Sequence, residues 1–215
     1  MKAFIFDMDG VIVDSEPIHS RTKMETFSHY GIPFEEKDLI HYMGRTSRAL
    51  FNDAIQKYNR NDCDVAEMIN YKRHLYLDIL RNDEAIKPID GIVDLLTQLK
   101  LVGIPVGLAS STGRSVIEIV LAKFGITDCF KAVLSGAELP KSKPDPTVYL
   151  LAAKALGVSP ENCFVVEDAA AGVAAAKRAG MDCIAYRNPN SGAQDLSCAD
   201  IIVENLSDID IHNLL

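Results

Sequence analysis

Basic residues are in short supply. Lys and Arg number 22 against 30 Asp and Glu, a formal net charge of -8, so the broad cationic footprint of a nucleic-acid or anionic-membrane binder is missing. Neither kind of partner is expected, although a few local cations can still hold one small anion. Paired cysteines are lacking as well. The five cysteines, Cys63, Cys129, Cys163, Cys183 and Cys198, are odd in number and scattered without a CxxC, which argues against a zinc ribbon and a disulfide framework. They read as reduced thiols of a cytoplasmic protein. No apolar run approaches the ~18 residues of a membrane helix. The start, Met1-Lys2-Ala3-Phe4-Ile5-Phe6-Asp7, turns acidic too soon for a secretory leader. Internal repeats, low-complexity tracts and a Pro/Ser/Gly-rich linker are absent too. What remains is a chain of 215 residues, 48% apolar, enough for one sizeable core or a core with a small satellite domain.

Residues 3–6 form a short apolar run that ends at an acidic, Gly-containing loop, the pattern of a buried parallel strand. Residues 15–80 change character. A helix opens at Ser15-Glu16-Pro17 and stops at Gly31; further helices are predicted over 46–58 and 64–80. After Asn82, strands at 104–109, 132–134, 163–166, 184–185 and 201–203 alternate with helices at 91–100, 114–124, 146–156 and 170–179. Alternation at this spacing predicts βαβ units and a parallel sheet. The fold class is therefore α/β: a Rossmann-like parallel sheet flanked by helices, with an inserted helical domain. The core is expected to be discontinuous, residues 1–14 with 82–215, and the helical insert to cover 15–81. The alanines at 169–171 are expected to be small-residue packing where a helix meets the sheet.

In a parallel sheet, ligands bind beyond the carboxyl ends of the strands. Polar residues stand there in four places: Asp7 and Asp9; Ser110, Ser111 and Thr112; Lys143; and Glu167-Asp168. Carboxylates from two loops with a lysine nearby suit a hard divalent cation such as magnesium beside a phosphate. The cation and Lys143 would neutralise the repulsion between an attacking carboxylate and a phosphate dianion. Asp7 is then placed to attack phosphorus, giving an aspartyl-phosphate. Asp9, two residues on, would protonate the leaving oxygen and later take a proton from water. Glu167 has three readings: metal ligand, ligand orienter, or partner of a nearby cation. Thr112 reads as a helix cap or a substrate contact, and Asp14 as a helix cap or the brace of a hairpin.

These motifs resemble those of a known family. Asp7-Met8-Asp9-Gly10-Val11 with Asp14-Ser15 is similar to the first motif of the haloacid dehalogenase superfamily. Ser110 after a strand, Lys143-Pro144 before a helix, and Glu167-Asp168 followed by Gly172 match its other motifs in order, over nearly the whole chain. The resemblance implies that Asp7 is nucleophile and metal ligand, and that Asp9 is the acid/base with its carbonyl on the metal. Asp168 would complete the ligands, with Glu167 beside them. Ser110, Lys143 and the Ser111 N–H would hold the phosphoryl oxygens. The insert resembles the small helical cap of the β-phosphoglucomutase-like branch: His19 takes a position similar to one that contacts substrate or assists Asp9, Lys72 is similar to a cap residue, and Arg45 or Arg48, beside the expected arginine position, would reach a substrate phosphate.

An acid at Asp9 fits poorly with haloacid dehalogenases proper and with phosphonate-cleaving relatives. Three functions are weighed. A magnesium-dependent phosphatase for a small phosphate monoester, with a sugar phosphate as the expected class, stands first. A sugar-phosphate mutase is second: mutases of the branch carry an Arg three residues after a cap glycine, whereas Gly44-Arg45-Thr46-Ser47-Arg48 places Ser47 there. A phospho-receiver domain is third, disfavoured because its accepting Asp stands mid-chain and it has no helical insert. The expected partner is a small phosphorylated metabolite, and the expected state a monomer or weak dimer.

Overall fold

The computed structural model describes residues 1–42 and 45–214. Gly44, on which the mutase comparison turns, lies outside the described residues. The chain divides into two compact units, Met1–Asp14 with Ala85–Leu215, and Ser15–Glu84.

The first unit is built on six parallel strands. β1 (Ala3–Phe6) is buried at every position because it is paired on both sides, with β2 (Val106–Ser110) and with β4 (Cys163–Glu167). β3 (Ala132–Ser135), β5 (Asp182–Tyr186) and β6 (Ile201–Val203) complete the order β3-β2-β1-β4-β5-β6. Phe6 lies level with Leu108 and Val166, so the chain leaves β1, β2 and β4 at one edge. β5 is longer than predicted: its half-buried ends, Asp182 and Tyr186, flank a buried Cys183-Ile184-Ala185, and the acidic first residue reads as loop by composition.

Side chains alternate across the sheet. Ala3, Ile5, Ala109 and Val165 join one core cluster with Tyr149 and Ala152 of α6 (Thr147–Leu156) and with Val173 and Ala176 of α7 (Ala170–Arg178). Phe4 faces the other way and packs its ring against Phe164 at 5.2 Å. The helix Ile92–Leu101 (α4) buries Ile92, Leu95, Leu96 and Leu99, one apolar stripe at helical spacing. The helix Arg114–Lys123 (α5) buries Ile117, Val120 and Leu121. The small-residue contact comes later than predicted: Ala171 is exposed, whereas Gly172, Ala175 and Ala176 are buried. The N–H groups of Ala169 and Ala170 are donated to side chains at 3.0 Å, and the buried face of the helix begins at Gly172.

The second unit holds three helices, Glu16–His29 (α1), Ser47–Lys57 (α2) and Val65–Asn82 (α3), with a 3₁₀ stretch at Glu36–Tyr42. Thr46 caps the second helix by accepting from Ala49 N–H, and Asp64 caps the third by accepting from Ala66 and Glu67 N–H. The third helix runs past the predicted end at residue 80. Its core is aromatic: the Phe27 ring stacks on Phe34 at 4.3 Å and meets Phe51 edge-on at 5.4 Å, pairs worth about 0.5–1.5 kcal/mol each beyond their burial. Among the described residues, no helix is long and apolar enough to cross a membrane.

Candidate active site

The sheet order turns at β1 and β4, and such a switch point leaves a crevice at the carboxyl ends of the strands. Asp7 follows β1, Ser110 ends β2 and Glu167 ends β4. All three are buried. Lys143 comes from the loop ahead of α6, and its ammonium donates to Asp7 Oδ1 at 2.6 Å and to Glu167 Oε1 at 2.7 Å.

Glu167 is occupied on both oxygens. Oε1 also accepts from the Tyr149 hydroxyl at 2.8 Å, and Oε2 accepts from the N–H groups of Asp168 and Ala169 at 2.9 and 3.0 Å. The carboxylate lies over Gly172, where a Cβ would come within 1.7 Å of Oε1. Only glycine leaves that space. Asp168 stands in the same relation to Gly10, whose φ of +77° and 1.9 Å approach to Asp168 Oδ2 both require glycine. The Ser191 hydroxyl donates to Asp168 Oδ2. Asp7, Glu167 and Asp168 each present a carboxylate oxygen, all within 4.8 Å of one another. Asp9 is turned to the other side: its Oδ2 accepts from Thr112 Oγ1 at 2.7 Å and from Ser110 Oγ at 3.3 Å.

Three clustered carboxylates therefore share one ammonium, which contacts two of them, and Asp9 lies close enough to act on Asp7. Burial pushes Asp7 well above the usual carboxylate range; Lys143 opposes the rise, and Glu167, Asp9 and Asp168 add to it. Burial, with Glu167 next, raises Asp168 to about 7, against the Ser191 hydrogen bond. Burial alone would lower Lys143, but Asp7 and Glu167 outweigh it and hold the group above the ordinary lysine value. The lysine stays an ammonium, and the acids remain short of positive charge. Hard oxygen donors in excess of local cations make a site that fits a magnesium-like ion.

Two expectations need correction. Asp14 caps no helix: its Oδ2 accepts from Asn190 Nδ2 at 2.5 Å, and Ser15 at the helix start makes no side-chain cap. Thr112 caps nothing either, because Gly113 takes the cap position of α5 while the threonine hydroxyl is spent on Asp9. Ser111 stands exposed between Ser110 and Thr112.

Several contributors escaped the sequence reading. Tyr149 carries no pattern signal, being one aromatic of a buried helix face. The loop after β5 did carry one. Asn188-Pro189-Asn190-Ser191-Gly192 is a polar run at a strand's carboxyl end. Besides the contacts of Asn190 and Ser191, Asn188 Nδ2 donates to the Gly10 carbonyl at 3.0 Å. The strand-end rule applied to β5 would have flagged it.

In the helical unit, Lys72 and His19 are brought together. The Lys72 ammonium donates to His19 Nδ1 at 3.2 Å, and the His19 ring stacks on Tyr76 at 4.4 Å. An acceptor at Nδ1 means a neutral imidazole protonated at Nε2. Burial, then Lys72 and Lys23, lower His19 to about 3; burial and Lys23 lower Lys72 to about 8, against Glu16. Arg45 is engaged elsewhere, pairing with Asp53 at 3.0 Å and lying over the Tyr42 ring.

Residues 4–186 match the model of the family described as haloacid dehalogenase-like hydrolase. The β-phosphoglucomutase of Bacillus subtilis is 34% identical over 221 residues, covering 100% of this chain and 94% of the relative. The validoxylamine A 7'-phosphate phosphatase of Streptomyces hygroscopicus subsp. limoneus is 29% identical over 210 residues, 97% of this chain and 95% of that one. The crystal structure of a β-phosphoglucomutase from Clostridium difficile superposes with a TM-score of 0.75 at 26% identity, over 100% of this chain and 95% of that one.

Proposed function

The chain belongs to the haloacid dehalogenase-like hydrolase family, and from that premise we propose a magnesium-dependent phosphatase that hydrolyses a small phosphate monoester, a sugar phosphate by class, through an aspartyl-phosphate on Asp7. The observation that carries the proposal is Lys143 held between Asp7 and Glu167 inside a cluster of buried acids. An ammonium fixed against the attacking carboxylate lowers the cost of bringing a phosphate dianion to it.

Asp7 and Asp168 are the side chains proposed to hold the magnesium, with the Asp9 carbonyl beside them. Glu167, whose oxygens already take four donors, is read as the residue that orients Lys143 and the β4 loop. Bound there, the ion would supply positive charge against the equatorial phosphoryl oxygens. Lys143 and Ser110 would hold those oxygens, Asp7 would attack phosphorus in line, and Asp9 would protonate the leaving oxygen. The helical unit is read as a cap that excludes water, with His19 and Lys72 as substrate contacts.

A phosphomutase is the second reading, favoured by the likeness to the Bacillus subtilis enzyme. It is set behind because Ser47 occupies the position where the branch's mutases carry Arg, and Arg45 is committed to Asp53. The experiment is a phosphate-release screen with magnesium over sugar phosphates, nucleotides and phosphoglycolate. Release of inorganic phosphate supports the phosphatase. Isomerisation of a hexose 1-phosphate primed by a bisphosphate, without release, replaces it with the mutase. Asp7→Asn should bring either activity below about a thousandth of the wild-type rate.

A further inference from the structure

Asp9 is gripped on one oxygen only. Oδ2 accepts both the Thr112 and the Ser110 hydroxyls, whereas Oδ1 is buried and meets no hydrogen-bond partner among the described residues. A buried acceptor left without a donor is costly and rare, and where it persists it calls for an explanation. Thr112 is itself tied at two more points. Its N–H donates to Ser110 Oγ at 3.0 Å, and its carbonyl accepts from Ser135 Oγ at 2.8 Å. Ser135 is buried at the end of β3, level with Ser110 in the sheet register. Behind it Gly136 approaches so closely that a Cβ would lie 3.1 Å from the Ser110 carbonyl and 3.3 Å from Ser111 Cα. The ends of two strands thus fix the direction of one hydroxyl.

We propose that Thr112 is a positioning residue for Asp9: it pins Oδ2 so that Oδ1 is the oxygen that exchanges a proton with the substrate. The inference rests on the phosphatase reading and extends it. In the first step an Asp7 oxygen–phosphorus bond forms and the phosphorus–ester oxygen bond breaks. The proton on Asp9 Oδ1 passes to the departing oxygen, which leaves as an alcohol. In the second step water attacks phosphorus and gives its proton to Asp9 Oδ1. The bond to Asp7 breaks, releasing inorganic phosphate and restoring both residues. Ser110 cannot replace Thr112 here, because its contact is longer and a bound phosphoryl oxygen would draw off its single proton.

The test separates aiming from binding by the leaving group. An alkyl alcohol needs a proton to depart, and p-nitrophenolate does not. With magnesium present, Thr112→Val should lower kcat/KM about 100-fold on an alkyl phosphate that the wild type hydrolyses. The loss on p-nitrophenyl phosphate should be at least about tenfold smaller, and Thr112→Ser should restore most of the alkyl activity. Equal losses on both esters, no loss on either, or no rescue by serine would overturn the assignment. Should Thr112→Val not fold, Ser135→Ala loosens the same threonine from behind and should show the same leaving-group selectivity; its absence there is equally fatal. Phosphate release that survives Asp7→Asn would instead sink the underlying reading of hydrolysis through an aspartyl-phosphate on Asp7. An Asp9→Asn variant that loses alkyl activity while Thr112→Val keeps it would sink only the role given to Thr112.

Discussion

Replacing Gly172 with alanine should be far more damaging than a single methyl group suggests. The new Cβ would lie 1.7 Å from Glu167 Oε1 and 1.9 Å from its Cδ, so the carboxylate must move. A glutamate tip is ordinarily free to do so, but this one is buried and held by Lys143, Tyr149 and two backbone N–H groups. Displacing it leaves two N–H donors unpaired, at about 1–3 kcal/mol each, and strips Lys143 of one of its two counter-charges. The two N–H groups alone give about 2–6 kcal/mol, and the lost counter-charge adds less than the roughly 3–5 kcal/mol of a fully broken buried pair, because Asp7 still holds the ammonium. For a chain of this size that lowers the melting temperature by roughly 5–20 °C. Circular dichroism melts of wild type, Gly172→Ala and Gly113→Ala provide the assay. Gly113 is the control, since its backbone (φ -66°, ψ 145°) suits alanine and its Cβ would meet nothing within 4 Å; the change should cost no more than about 1 kcal/mol, the loss of a favourable cap residue. A Gly172→Ala protein that melts within about 2 °C of wild type would refute the claim that Glu167 is locked.

The remaining predictions concern acid, metal and the nucleophile. His19 is held neutral, its value lowered from 6.5 to about 3. Below pH 6.5 the unfolded chain binds a proton that the folded chain refuses, so stability present above pH 6.5 is lost as the pH falls toward 3. Between pH 6.5 and 5 this amounts to at most about 2 kcal/mol. Urea denaturation of His19→Gln should show a shallower acid slope than wild type, and an identical slope counts against the half-buried neutral imidazole. Ser191→Ala should weaken magnesium or manganese binding about 10- to 100-fold by calorimetry, with little change in melting temperature; unchanged affinity would mean that Ser191 does not orient Asp168. For Asp7→Asn, no aspartyl-phosphate should be trapped on rapid acid quench with any substrate from the screen, and a trapped phosphoenzyme would move the nucleophile elsewhere.

Much of the fold was legible because the parallel strands are short apolar runs with abrupt polar ends. Residues 3–6 stop at Asp7 and residues 163–166 at Glu167, and strand ends of this kind are where parallel sheets collect chemistry. The helical unit was legible from Pro17, Thr46 and Asp64 at helix starts. Three things were harder to read. The 3₁₀ stretch Glu36–Tyr42 buries only Leu39, so it has no apolar period to detect. Thr112 and Asp14 carry side chains that suit local caps, and only the folded chain shows them spent on Asp9 and Asn190, distant in sequence. Tyr149 is hidden for the opposite reason, since a tyrosine on an apolar helix face looks like core until its hydroxyl is seen on Glu167.

The four carboxylates of the site differ in how fully their oxygens are engaged, and the differences run parallel to their proposed duties. Glu167 has donors on both oxygens, which makes it rigid and a poor reactant. Asp168 has the Ser191 hydroxyl on Oδ2, enough to orient it toward a cation. Asp7 gives Oδ1 to Lys143, a contact that fixes its direction while holding positive charge at the point of attack. Asp9 keeps one oxygen without a partner among the described residues. A buried polar group is normally driven toward full pairing, so graded pairing within one cluster means that the surrounding loops withhold donors from the reacting oxygens and give them to the supporting ones. The withheld bonds cost stability, and the dense hydrogen bonding of Glu167 and of the β5 loop offsets it. On this account stabilising the site further, by a donor introduced opposite Asp9 Oδ1, should raise the melting temperature and lower turnover together.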